Sequence, residues 1–263
     1  MRYSGKTDNI EVDVEAHKRE LIEQAAILFA VQRVYGDKVR EQTMKAYGRL
    51  IDAHLLITGA LAAALLRDNG KIRPITPNNE ERDALFASFV IGIEACENAI
   101  AEGRYLQAST LLRQEMETLA QLMAVRAGTR KEEKCPNVGV LEKSLKCLYG
   151  ELSAAAHVSK HGVVRAATAW DICGDDLPGP TSGTRYFPVF DESWARRSFG
   201  LHLMLIIWVI TELSIDLDGR HSGDRFTERE AEAIQLAQML MGAEGIIEID
   251  EPESAPAHSA DFP

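Results

Sequence analysis

The sequence predicts a mainly α protein, a helical bundle of six or seven helices with a small irregular or β-hairpin insert near residues 163–190. Three observations predict it. Apolar residues recur at steps of three and four along most of the chain. Aromatic residues are only 6%, while Ala, Leu and Glu are abundant, a balance that favours helix over sheet. The 263 residues are 46% hydrophobic, which is ample material for a core.

The elements follow in order. Residues 1–10 are expected to be flexible. From Val12 the pattern turns helical, with Leu21, Ala25, Leu28 and Val31 in register. Gly36 and Asp37 are expected to break or bend it, and a second helix to run from about Lys38 to Arg67. Asn69, Gly70 and two prolines then stop any helix. Thr76 or Asn78 is the expected N-cap of a third helix, with Glu80 and Glu81 in its first turn, ending near Glu102.

Gly103 separates that helix from the one at 104–126. In this fourth segment Tyr105, Ala108, Leu112, Met116, Leu119 and Met123 share a stripe. A polar connection at 128–137 leads to a shorter helix over about 138–158. The VVRAATAW and RYFPVF segments read as two extended pieces around a Gly/Pro-rich loop. From Asp191 to about Leu217 runs the most apolar helix, expected to be buried on most sides. Thr227 and Glu230 have capping-box spacing at the start of the last helix, which should end by Gly242. The expected organisation is one helical domain over 11–245 and a disordered acidic tail over 246–263.

The net charge of −11 gives no overall attraction for phosphate backbones. The opening MRYSGKTDNIEVDVE is polar, carries both charge signs, and is not expected to act as a secretory signal. Fully apolar runs are short, so no membrane span is expected. Cys96, Cys135, Cys147 and Cys173 form no CxxC pair, and free thiols in a cytoplasmic protein are the simplest reading. No GxSxG, Walker loop or strand-linked GxGxxG occurs. No cofactor and no metal are expected. His157 and His161 have a metal-compatible spacing but no obvious third ligand.

Two clusters carry candidate chemistry. Arg113 and Glu117, one turn apart at the edge of the buried stripe, can form an ion pair along the helix. Glu115 projects inside the stripe, where a carboxylate must be paired, protonated or turned aside. On the next helix Ser153 and His157 sit together at the edge of an apolar face that includes Tyr149. If the two helices pack side by side, Arg113, Glu117, Ser153 and His157 share one pocket, where imidazole and carboxylate suit acid–base work near neutral pH. The competing reading is structural: a salt bridge, and a helix C-terminus finished by His157, Lys160 and His161 with Gly162 as its left-handed stop.

The segments LLRQEMETLAQLM and YGELSAAAHVS together resemble a family of bacterial helical proteins of unknown function. One helix of that family carries Arg-x-x-x-Glu and a later one Tyr-x-x-Leu-Ser-x-x-x-His. The matching positions here are Arg113, Glu117, Tyr149, Leu152, Ser153 and His157, within a resemblance covering roughly 80–217. That family is similar in architecture to abortive-infection and HEPN-like domains, many of which are RNases or their inactive relatives. The resemblance implies a metal-independent ribonuclease of stress or phage defence, with RNA or a protein as partner; homodimerisation is an expectation on other grounds, since amphipathic helical bundles often pair. If the first cluster is catalytic, its chemistry assigns His157 as general acid/base, Arg113 to stabilise developing negative charge on a phosphate and Glu117 to orient Arg113. A HEPN ribonuclease would also show Arg, four to six residues, then His. Arg49 with His54, and Arg196 or Arg197 with His202, fit that spacing, and neither coincides with the first cluster. The alternative is a non-catalytic helical interaction or scaffold module.

Overall fold

A computed structural model describes residues 7–71, 76–131, 134–172, 181–220 and 226–247. Most of the expected acidic tail, the first six residues and the Gly/Pro-rich loop lie outside this set. Eight α-helices occur among the described residues, more than the six or seven expected. They are α1 (Thr7–Tyr47), α2 (Leu50–Asp68), α3 (Pro77–Ala101), α4 (Tyr105–Arg126), α5 (Lys143–Ala156), α6 (His161–Thr168), α7 (Glu192–Arg220) and α8 (Glu228–Ala243). A 3₁₀ turn at Val138–Val140 precedes α5.

The extra helix is α6. It occupies the VVRAAT stretch expected to be extended. Strand β1 (Ala169–Ile172) pairs antiparallel with β2 (Thr181–Thr184). The hairpin anticipated for 163–190 therefore exists but is shorter, and the aromatic segment 185–190 is not part of it.

The first break also moves. α1 runs unbroken through Gly36, because an interior glycine costs only about 1 kcal/mol relative to alanine and does not by itself stop a helix. The chain turns instead at Gly48, which adopts φ +52. There Tyr47 stacks on Phe199 of α7 with ring centres 3.9 Å apart. Among the described side chains of α1, Val39, Thr43 and Tyr47 near its end enter the core. Arg40 fastens it to α3 by bonds to Asn98 (3.0 Å) and Glu102 (2.6 Å).

α3 and α4 form a helical hairpin across Gly103. That residue must be glycine. Its φ is +72, and a Cβ there would sit 2.7 Å from the Val189 carbonyl oxygen. Thr76 caps α3 by accepting from the Asn79 amide. Thr227 and Glu230 form the expected capping box of α8, and Glu230 is also paired with Arg67 of α2.

α4 packs against α3, α5 and α7, while α7 also meets α1, α2 and α3. These two helices hold the centre of the core through Leu112, Met116, Leu119, Leu203, Leu205 and Ile206, all essentially without solvent contact. Three helices among the described residues, Leu50–Asp68, Asn78–Ala101 and Glu192–Asp218, are long and apolar enough to cross a membrane by length and composition. The short apolar runs noted in the sequence understate these stretches, because the polar residues within them are few and scattered. In the bundle these helices carry His54, Cys96 and His202 into the interior.

Candidate functional site

The packing of α5 along α4 brings most of the first cluster together. Arg113 Nε donates to Glu117 Oε1 at 2.9 Å, and the Tyr149 hydroxyl donates to the same oxygen at 2.6 Å. Arg113 Nε also lies 3.3 Å from the Tyr149 hydroxyl oxygen, with the guanidinium carbon 5.4 Å from the ring centre. Arg113 Nη1 is 2.6 Å from His157 Nε2. A guanidinium has no acceptor, so the imidazole facing it accepts at Nε2 and carries its proton on Nδ1. The hydrogen bond that Arg113 donates to Tyr149 and the charge of Glu117 together hold the Arg113 pKa above its ordinary value.

Local sequence explains each placement. Arg113 and Glu117 are one helical turn apart, as are Tyr149, Ser153 and His157 in succession. His157 is the C-cap of α5. The next residue, Val158, takes φ +46, a conformation that β-branched residues rarely adopt. Amides of Val158 and Ser159 bond back to Ala155 (3.0 Å) and Ala154 (3.1 Å), the pattern of a Schellman stop. Val158, not Gly162, therefore ends the helix, and Lys160 and His161 open α6 instead of capping α5.

Ser153 does not join the hydrogen-bonded group. Its hydroxyl oxygen is buried and has no partner among the described residues. Tyr149 takes the place expected of it. Periodicity assigns Tyr149 to the apolar face, yet its i, i+4, i+8 alignment with Ser153 and His157 is the signal that its hydroxyl points to the same edge. Arg113 and Glu117 keep about a quarter of their side-chain surface in solvent, and His157 is exposed. The patch is thus open to water. A separate cavity of about 710 Å³ lies along the neighbouring face of α5, lined by Leu148, Leu152, Leu112, Trp194 and Leu201.

The second set of candidates lies in the core. Glu115 is buried, and its partner is His202 of α7, with Oε2 3.0 Å from Nδ1. His54 is buried beside them, its ring centre 6.2 Å from that of His202. Burial holds the His54 pKa below its ordinary value, opposed by the charge of Glu97 and reinforced by His202. The arginines spaced to His202 go elsewhere. Arg196 bonds to the Ala46 carbonyl and to Glu244, and Arg197 to Glu151.

No protein-family profile, curated protein or solved structure matches this chain.

Proposed function

We propose that Arg113, Glu117, Tyr149 and His157 form a metal-independent acid–base site acting on RNA, in a cytoplasmic, HEPN-like protein of stress or phage defence. One observation carries the reading. Four polar side chains from two helices, up to 44 residues apart in sequence, converge at a solvent-open edge. The chemistry they support is phosphodiester cleavage. Once substrate draws Arg113 toward the phosphate, His157 Nε2, an acceptor, takes the proton of a ribose 2′-hydroxyl as that oxygen bonds to phosphorus and the P–O5′ bond breaks; the departing 5′-oxygen takes its proton from water. Arg113 then stabilises the charge that develops on phosphorus-bound oxygens. Glu117, accepting from both Arg113 and Tyr149, orients the guanidinium. The local charge supports an anionic ligand: residues 128–165 hold seven Lys or Arg against four Glu, although the whole chain carries −11.

The test is cleavage of total cellular RNA by the purified protein. Wild type should cut. His157→Ala and Arg113→Ala should each lose about 100-fold or more with unchanged melting temperature, the usual effect of removing an acid–base or charge-stabilising group. A folded wild type that leaves RNA intact, or a His157→Ala variant that cuts equally well, removes the proposal.

A second reading, an interaction module, is favoured by α1. Along most of its length from Glu15 to Tyr35 the side chains face solvent, including Leu21, Ile22, Leu28 and Phe29. A lone helix is marginal in water, and such an apolar surface invites a partner. Leu21, Ala25, Leu28, Gln32 and Tyr35 alternate at four and three residues, the spacing of a helix–helix seam. The occupant this pattern fits is the same arm of a second copy.

A further inference from the structure

Three helices each deliver one metal-capable side chain to the same point in the core, and a fourth places a histidine beside it. Cys96 comes from α3, Glu115 from α4 and His202 from α7, and one donor atom of each lies within 4.8 Å of the other two. His54 of α2 stands next to His202, and its Nε2 is 3.7 Å from the Glu97 carboxylate. Cys96 and His202 are 0% exposed and Glu115 is 5% exposed. Three atoms here, His202 Nε2, His54 Nε2 and Glu115 Oε1, have no well-formed hydrogen bond. Leaving a buried polar atom unsatisfied is costly, and native cores rarely gather several such atoms in one place.

We propose that Cys96, Glu115 and His202, with His54 as the fourth donor, bind a divalent transition metal of the Zn²⁺ class. The donor set points to that class. Thiolate and imidazole together suit a borderline-soft ion, whereas Mg²⁺ and Ca²⁺ take oxygen ligands. The charge points the same way. One thiolate and one carboxylate neutralise a divalent cation, so the loaded site is electroneutral in a core that would penalise any net charge. One ligand from each of several facing helices is also how bundles build metal centres. Glu97 is placed as the outer carboxylate that orients a ligating imidazole.

On binding, the Cys96 S–H bond breaks and a sulfur–metal bond forms. The proton leaves to solvent and no oxidation state changes. Metal uptake should therefore weaken as pH falls. Cys96, Glu115 and His202 are buried, so the role of the site is to fasten α3, α4 and α7, with α2 through His54, rather than to present an open coordination position.

The experiment uses the full chain, stripped with chelator and titrated with Co²⁺ as a spectroscopic stand-in for Zn²⁺. The expected result is one equivalent per chain, a thiolate-to-cobalt charge-transfer band and a raised melting temperature. Cys96→Ser should abolish the band, while Cys135→Ser and Cys147→Ser, at exposed thiols, should keep it. His157→Ala should bind metal as wild type does, which separates this site from the RNA-directed one. His202→Asn is the stronger test of the imidazole; if it fails to fold, Cys96→Ser, a near-isosteric change, still decides the matter. A folded wild type that takes up no stoichiometric metal, or a Cys96→Ser variant that retains the band, overturns the proposal.

Discussion

Arg126 closes the last turn of α4 and forks onto Glu212 of α7, with Nε–Oε2 at 2.8 Å and Nη2–Oε1 at 2.9 Å. The pair is asymmetric. The Glu212 side chain is 5% exposed, whereas Arg126 keeps 42% of its surface in water. Removing the arginine strands a buried carboxylate, while removing the carboxylate frees an arginine that can turn to solvent. Stripping one partner from a fully buried pair costs about 3–5 kcal/mol. Water reaching the half-exposed arginine position screens part of that, so Arg126→Ala should cost about 2–3 kcal/mol. Glu212→Gln keeps the shape and should cost about 1 kcal/mol, the net worth of a hydrogen bond.

The double variant carries the argument. Arg126→Ala with Glu212→Gln no longer buries an unpaired charge, so it should be more stable than Arg126→Ala alone by about 1 kcal/mol or more. Any contribution of Arg126 to the α4 dipole is lost in both and cancels in this comparison. The assay is urea unfolding followed by far-UV circular dichroism and by fluorescence, with coincident midpoints and constant m-values required. Arg126→Ala within about 0.5 kcal/mol of wild type, or a double variant no more stable than the single, would refute the reasoning that burial, not pairing, sets the cost.

Two further predictions concern the arm and the α8 corner. Leu21→Lys with Leu28→Lys should convert a dimer to a monomer in sedimentation velocity with the thermal melt of the bundle retained; a monomeric wild type would show that the arm does not pair with itself. Glu244 bonds to Arg196 at 2.9 Å, and that bond holds its pKa below the ordinary 4.5. A depressed carboxyl stabilises the fold above its unfolded pKa, and the contribution fades as pH falls through the folded value. Glu244→Gln should therefore melt below wild type at neutral pH, with the gap closing once the pH is well below 4.5; a gap that stays constant with pH would mean that ionisation of Glu244 contributes nothing.

The parts of this protein legible in its sequence are those decided by neighbours within a turn or two. Thr76 and the Thr227–Glu230 box announce helix starts because caps are local hydrogen bonds. The spans of α3, α4 and α7 follow from apolar periodicity, and the Arg113–Glu117 pair from an i, i+4 spacing. Even the meeting of Arg113 with His157 was foreshadowed, because each sits at the polar edge of a helix whose apolar face had to be buried.

Tertiary structure decided the rest. Nothing local says that Gly36 continues a helix while Gly48 ends one; the stacking of Tyr47 on Phe199 fixes that. The short stretch of α6 is too brief for periodicity to separate helix from strand. Glu115 was visibly out of place in its stripe, but its partner His202 lies 87 residues away, and Cys96 and His54 come from two further helices. Such a cluster has no sequence spacing to betray it. It exists only because the packing of four helices sets where their interior side chains meet.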